Sequence, residues 1–224
     1  MPRAFHLPAV IFLLAAFSML FFVALSLPFF PALDLVRVRF EGVSGNVSQQ
    51  VPLSELRYGT WGYCWYNVNG ERYCSAAGHA YTTTVFNADK SSLQLLPPQF
   101  TSGLAIHPAA AGLTFVALFL SLFTNFTVAL LAALTTLVCA LLTLGTIATD
   151  LALYSAVKYR MGRLTGVRQH TDVGTGFWMV FASFVLLSLA GFMACFGRRR
   201  DRMSSATSYS MVPHKHSWRD RFTR

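Results

Sequence analysis

Leu56-Arg57-Tyr58-Gly59-Thr60-Trp61-Gly62-Tyr63-Cys64-Trp65-Tyr66-Asn67-Val68-Asn69-Gly70-Glu71-Arg72-Tyr73-Cys74 is the most structured stretch of the chain. Aromatic residues flank a turn that carries Asn-Gly, so the natural reading is a β-hairpin. Its register follows by counting. A two-residue Asn69-Gly70 loop sets Cys64 opposite Ser75. A three-residue Val68-Asn69-Gly70 loop, with Gly70 in the left-handed conformation, pairs Asn67 with Glu71 and therefore Cys64 with Cys74. Opposed Cβ atoms lie within a disulfide's reach of about 3.5–4.5 Å, so the longer loop and a Cys64–Cys74 bond are expected. Two other fates of these thiols stay open. They can remain reduced in a core, or join His79 in a zinc site that still lacks a fourth ligand.

The hairpin sits in a chain of 224 residues that is 54% hydrophobic and only 12% charged. A soluble domain carries roughly 25% charged residues, so a soluble enzyme and a disordered regulator are both excluded. Ionisable residues locate the membrane spans, because a charge at the bilayer centre is costly. Residues 4–33, 91–149 and 173–197 carry no Asp, Glu, Lys or Arg. A span needs about 20 apolar residues, so the outer two gaps hold one helix each. The middle gap holds two, parted at Thr124-Asn125-Phe126-Thr127. The spacing predicts helices over 7–30, 104–123, 128–156 and 175–196. They leave a short N-terminus (1–6), a large loop (31–103), a turn (124–127), a second loop (157–174) and a basic tail (197–224). The apolar run from Leu7 to Phe30 exceeds a signal-peptide core of about 7–15 residues, so it reads as an uncleaved anchor.

Orientation is not set by charge number, since the 18 Lys and Arg divide equally between the two sides. Arg198-Arg199-Arg200 abuts a helix end, whereas long loops translocate with little regard for charge. A disulfide needs an oxidising compartment. Both termini are therefore expected in the cytoplasm and the large loop outside. In that loop Val36, Val38 and Phe40 alternate with Arg37, Arg39 and Glu41, the period of a strand with one wet face. Asn46-Val47-Ser48 is a glycosylation sequon, which makes Asn46 a candidate acceptor. Cys139 falls within the third span as a packing residue. Cys195, beside the inner basic cluster, is a candidate palmitoylation site.

The hairpin element Trp61-Gly62-Tyr63-Cys64…Cys74 between four spans resembles the claudin-like superfamily. Gly59, Trp61, Gly62, Tyr63, Cys64 and Cys74, with Gly78 and Tyr81, are more specifically similar to the fungal PalI family. So are His107-Pro108 opening the second span and Ala148-Thr149-Asp150-Leu151 closing the third. The likeness runs from about residue 5 to 197. It implies a plasma-membrane protein that assists a membrane receptor sensing ambient alkaline pH. The same kinship also covers organisers of cortical membrane domains that influence the cell wall.

Asp150 is the one acid inside a hydrophobic run. It lies near the outer interface of the predicted topology, where it can reach water, pair with Lys158 or Arg160, make a packing hydrogen bond, or sense protons. His107 suits the first turn of a helix next to Pro108; it reads either as an interfacial cap residue or, with His79 on the outer face, as an external pH register, since histidine titrates near pH 6.5. Ala105, Ala109, Ala110, Ala111 and Gly112, and Ala190 with Ala194, form small-residue faces for close packing within the bundle or with a partner. Arg198-Arg199-Arg200-Asp201-Arg202 precedes Ser204, Ser205 and Ser208, a pattern that suits anionic lipid and its release by phosphate.

No catalytic constellation, cofactor motif or metal set appears. The expected protein is mainly α: a four-transmembrane-helix bundle with a small extracellular β-subdomain, claudin-like and non-enzymatic. It would act with membrane lipids and a membrane-protein partner, a pH-sensing receptor complex, or by self-association. Nucleic acid is not needed to explain the net charge of +9. A channel or transporter fits less well, because Asp150 alone offers intramembrane polarity.

Overall fold

Stretches without ionisable side chains become helices because a bilayer offers the backbone no other partner than itself. In a computed structural model that describes residues 3–41, 44–46, 49–87, 92–123, 125–164 and 168–209, helix α1 spans Arg3–Ala24. A sheet of eight short antiparallel strands follows: β1 Val36–Glu41, β2 Ser44–Asn46, β3 Gln49–Tyr58, β4 Tyr63–Asn67, β5 Arg72–Cys74, β6 Thr83–Asn87 and β7 Leu93–Leu96, with β8 Arg168–Val173 added from later in the chain. Helix α2, Gln99–Ser102, passes through one 3₁₀ turn into α3, Ile106–Ser121; α4 is Phe126–Met161 and α5 Thr175–Tyr209. Four segments, Leu7–Ala24, Gln99–Ser121, Thr127–Met161 and Thr175–Ala194, are long and apolar enough to cross a membrane. Helix α1 packs on α5 and α3, and α4 on α3 and α5, which closes a ring of four.

The helix ends differ from those the charge gaps imply. Helix α1 stops at Ala24 rather than 30, because residues 25–33 are spent on turns that contain Pro28 and Pro31, and proline supplies no backbone donor. Helix α4 runs past 156 to Met161, with Lys158 and Arg160 in its last turn, where cations favour the helix dipole. Helix α5 continues beyond 196 through the basic cluster to Tyr209. The 157–174 segment is more than a connector, since it delivers β8 to the edge of β1.

Strand β3 organises the sheet. Its second half pairs with β1 (Leu56 opposite Val38, Tyr58 opposite Val36) and its first half with β2, while β4 lies along its other edge. Two branches result: β5-β4-β3-β1-β8 and β3-β2-β6-β7. The alternation in β1 is realised: Val36, Val38 and Phe40 are buried, Arg39 and Glu41 exposed. Beneath the sheet, Val36, Val38, Leu56 and Tyr58 form one continuous core with Leu104, Leu153, Val157 and Val180 at the top of the bundle. A second core lower down joins Leu13, Leu20, Ala111, Ala117, Cys139 and Leu187. Phe115, Leu134, Leu141 and Phe192 point outward, as the lipid-facing side of a span requires.

One polar knot ties α5 to this core. Asp34 is fully buried and accepts from Arg37 Nε at 2.8 Å and Nη2 at 3.0 Å. Backbone N–H groups of Gly174 and Gly176 donate to the carbonyls of Leu35 and Asp34 at 2.8 Å each. The chains approach so closely that a Cβ on Gly174 would collide with the Asp34 carbonyl.

Candidate functional site

The hairpin closes as its counted register requires. Asn67 N–H donates to Glu71 O at 3.1 Å, Gly70 adopts φ +82°, and Trp65 faces Tyr73 while Cys64 faces Cys74. Antiparallel pairs alternate between hydrogen-bonded and non-hydrogen-bonded, and side chains stand closer in the latter. Asn67–Glu71 and Tyr63–Ser75 are bonded pairs, so Cys64–Cys74 is a non-bonded one. The two form a disulfide, their Cα atoms 4.0 Å apart. This removes both thiols from any zinc site with His79, which is exposed. Among the described residues no three His, Cys, Asp or Glu side chains gather in a way that could hold a metal.

The residues before the hairpin strap the sheet to α1. The last carbonyls of a helix have no partner within it, and at a membrane boundary that is expensive. Here Trp61 Nε1 donates to Ala24 O at 2.6 Å, and Thr60 Oγ1 to Val23 O at 3.1 Å. Ser26 Oγ donates to Thr60 Oγ1 at 3.0 Å and accepts from Thr60 N–H at 2.9 Å. Gly59 and Gly62 flank the strap because side chains would not fit. A Cβ on Gly59 would lie 2.5 Å from Leu27 Cβ, and one on Gly62 2.7 Å from Ser75 Oγ. Gly78 N–H donates to Trp61 O at 2.8 Å, and Tyr81 Oη to Gly59 O at 2.7 Å. Gly59, Trp61, Gly62, Tyr63, Gly78 and Tyr81 thus make one assembly at the base of the hairpin.

Directly below lies a buried polar pair. His107, in the first turn of α3, is fully buried, and its Nδ1 is 3.0 Å from Leu104 O. Its Nε2 is 3.3 Å from the carboxyl oxygens of Asp150 on α4, also fully buried. Asp150 Oδ1 makes no hydrogen bond. Burial, with the nearby Tyr58 and then Asp150, raises the Tyr81 phenol well above its ordinary range, against the lowering effect of its bond to Gly59. Burial likewise raises Tyr58, which sits beside Thr83 with neither hydroxyl hydrogen-bonded.

Two expectations are corrected here. Asp150 does not reach water or pair with Lys158 or Arg160. Those residues lie eight and ten positions along the same helix, about 12–15 Å further toward the sheet, where Lys158 stands over the Tyr154 ring and Arg160 donates to Leu95 O. His107 is not an interfacial residue facing water, because Leu104 and α4 enclose it. Pro108 follows it and lines an apolar groove of about 450 Å³ between α1 and α3, roofed by Trp61. Of the small residues, Ala110, Ala111 and Ala190 enter the bundle, whereas Ala105, Ala109 and Gly112 face outward and Ala194 is half-buried. Asn46 lies in β2, at the far end of the sheet from the strap; Val47 and Ser48 of its sequon lie outside the described residues. Cys195 lies on α5 beyond Ala194, and its side chain is outside what the structure describes, as are those of Ser204, Ser205 and Ser208.

A four-helix bundle whose first loop builds a disulfide-pinned sheet strapped onto the first span is a claudin-like membrane protein. The SUR7/PalI family model matches residues 5–193, and the chain belongs to that family. No curated protein matches it. The sequence did not point to the pairing of His107 with Asp150, to the capping role of Thr60 and Trp61, or to the burial of Asp34. The burial of Asp34 had a signal, since Asp34 and Arg37 stand three apart at the mouth of an apolar run.

Proposed function

We propose that this chain is a non-enzymatic plasma-membrane protein, with both termini cytoplasmic and the sheet outside, that holds or stabilises a receptor complex for ambient alkaline pH. The observation that carries this reading is the strap. An oxidised sheet and the membrane bundle share one core and a set of helix-capping hydrogen bonds, so they move as one body. Such a body can grip a partner in the membrane plane and present the outer environment to it. Deletion of the chain should abolish growth at alkaline pH, and constitutive downstream signalling should restore it. Normal alkaline growth of the deletion strain removes the reading.

A second reading, an organiser of cortical membrane domains, is favoured by one feature. Ala109 on α3 is exposed, as are Ala105 in the turn before it and Gly112 at the mouth of the α1–α3 groove, and small residues at such spacing allow close helix contact in lipid. Fluorescence imaging separates the two: stable patches that persist without the receptor, and that Ala109→Leu disperses, support the organiser.

A further inference from the structure

We infer that the groove between α1 and α3 is a sterol site: a short, wholly apolar slot in the sheet-side leaflet that takes a fused-ring lipid from the bilayer. The inference needs only that the four spans lie in a membrane. It holds whichever partner the chain serves.

The position of the slot decides which phase fills it. Leu25 and Trp61 apart, its lining residues all belong to segments that cross the membrane. Phe21 on the α1 wall and Phe115 on the α3 wall are 44% and 53% exposed, so the slot is continuous with the lipid-facing surface of the bundle. Its lining offers no free polar side chain. Trp61 Nε1 is the one side-chain donor there, and it is already engaged by Ala24 O at 2.6 Å. The occupant is therefore an apolar body whose polar end stays outside the slot, at the membrane surface.

The ends of the slot give the occupant's shape. Trp61 and Pro108 stand at the sheet end. At the other end Phe17 of α1 meets Phe115 of α3, their ring centroids 5.3 Å apart. Phe17 and Ala24, like Pro108 and Phe115, are seven positions apart, about 10 Å by helical rise. That fits inside one leaflet, half of a hydrocarbon core about 30 Å thick. A helix of a second copy is about 10–12 Å wide, and it does not enter a slot blocked after about two turns. An acyl chain can enter, but it loses rotamer freedom when ordered there, which offsets its contacts. A volume of about 450 Å³ over that length is roughly 45 Å² in section, wider than one extended chain. Space left unfilled loses dispersion contacts. A rigid fused ring fills the section and has little conformational freedom to lose. Ala24 and Ala111 are small enough to receive its flat face, and Phe17 and Phe21, with centroids 5.7 Å apart, form one aromatic wall.

The site bears on the strap. Trp61 both caps α1 and ends the slot, so a ring seated against it covers that cap and bridges α1 to α3. A ligand that binds the folded chain alone stabilises it by mass action.

The test uses the full chain in phosphatidylcholine vesicles with cholesterol that carries a photoreactive diazirine on its rings, and in parallel with phosphatidylcholine that carries one on an acyl chain. Peptide mass spectrometry should place the sterol adduct within 17–25 or 108–115, and excess unlabelled cholesterol should compete it away. A Cβ on Gly112 would meet nothing within 4 Å, so Gly112→Leu fits the fold and fills the mouth of the slot. It should cut the labelling by about ten-fold or more, since the sterol then loses the burial of a ring face. Phe21→Ala removes part of the aromatic wall and should cut it too, which keeps the test decisive if one variant fails to fold. Ala109→Leu, outside the lining, should leave it unchanged. Cholesterol should also raise the melting temperature of wild type and not that of Gly112→Leu. Sterol adducts spread evenly over the four spans overturn the site. So does labelling that survives in both folded variants, or acyl-chain adducts at 17–25 and 108–115 that excess cholesterol fails to displace. Sterol labelling that appears only when the protein is diluted in lipid assigns the slot to a second copy and overturns the proposal as well.

Discussion

Replacing Trp61 by Phe removes one hydrogen bond and keeps an aromatic ring. The indole N–H reaches Ala24 O at 2.6 Å, and Ala24 is the final residue of α1, buried at the membrane boundary. Nothing else in the strap points at that carbonyl, so Trp61→Phe leaves it unsatisfied, a cost of about 1–3 kcal/mol. Thr60→Val is nearly isosteric and loses two side-chain hydrogen bonds. It removes one of two donors to Val23 O, which keeps the Ser26 N–H at 3.0 Å, and strands the Ser26 hydroxyl, which donates to Thr60 Oγ1; the cost falls in the same range, about 1–3 kcal/mol. The two substitutions act on adjacent carbonyls of one strap, so a double-mutant cycle should show coupling between them. For a chain of this size each kcal/mol moves the melting temperature by roughly 2–4 °C, which predicts a fall of roughly 4–8 °C for Trp61→Phe if the cost is about 2 kcal/mol. Fluorescence-detected size exclusion after heating, in a mild detergent, reads this directly. Trp61→Leu provides the contrast, because it removes the ring as well. If Trp61→Phe melts with wild type and only Trp61→Leu falls, the indole contributes packing alone and the capping argument is refuted.

Asp34→Asn breaks a buried bidentate pair, but Arg37 retains Glu55 at 3.1 Å. The expected loss is therefore about 2–3 kcal/mol, below the 3–5 of a pair whose survivor is stranded, and a double-mutant cycle with Arg37→Gln should show the coupling by thermal unfolding. Replacing Cys64 and Cys74 together by Ser opens a loop with a sequence separation of 10. Loop-closure entropy puts the loss at about 3 kcal/mol, measured as increased protease cleavage within 59–82 of the non-reduced protein. Tyr58→Phe deletes a buried hydroxyl that has no hydrogen bond, so at neutral pH it should cost less than about 1 kcal/mol or stabilise. Its alkaline behaviour has a definite sign. Burial raises the folded-state value of Tyr58, so the folded state holds this proton more tightly than the unfolded chain does. The resulting stability is fully present below about pH 10, the ordinary tyrosine value, and is lost as pH climbs through the raised one. Tyr58→Phe should flatten that alkaline loss in a series of melts; an unchanged slope contradicts the assignment.

What the sequence made legible depended on whether a feature is local. The Cys64–Cys74 pair could be counted because a hairpin ties register to loop length, and Asn67 and Glu71 fall opposite only with the three-residue turn. Helix ends were less legible, since a missing charge marks where chain can lie in lipid, while α4 and α5 extend into water wherever no proline stops them. The buried pair was the least accessible. His107 and Asp150 each stood out as polar residues in apolar runs, but hydropathy fixes neither the rotation of a helix nor its neighbours in the ring. Along the chain the nearest base to Asp150 is Lys158, in the last turn of α4, which helical rise carries into the sheet. Pairing across helices follows from the cost of burial: where two spans hold one ionisable residue each at matching depth, each is the other's cheapest partner. Here depth was readable, as His107 opens the second span and Asp150 lies some 24 residues into α4, about 36 Å by helical rise. Both positions fall at the sheet side of the membrane. The same reasoning explains why Thr136, Thr143 and Thr146, buried on the face of α4 that leads to Asp150, needed no partner on another helix: each hydroxyl donates to a carbonyl of its own helix at 2.7 Å. A carboxyl has no such local outlet, and that difference singles out Asp150 from the polar residues around it.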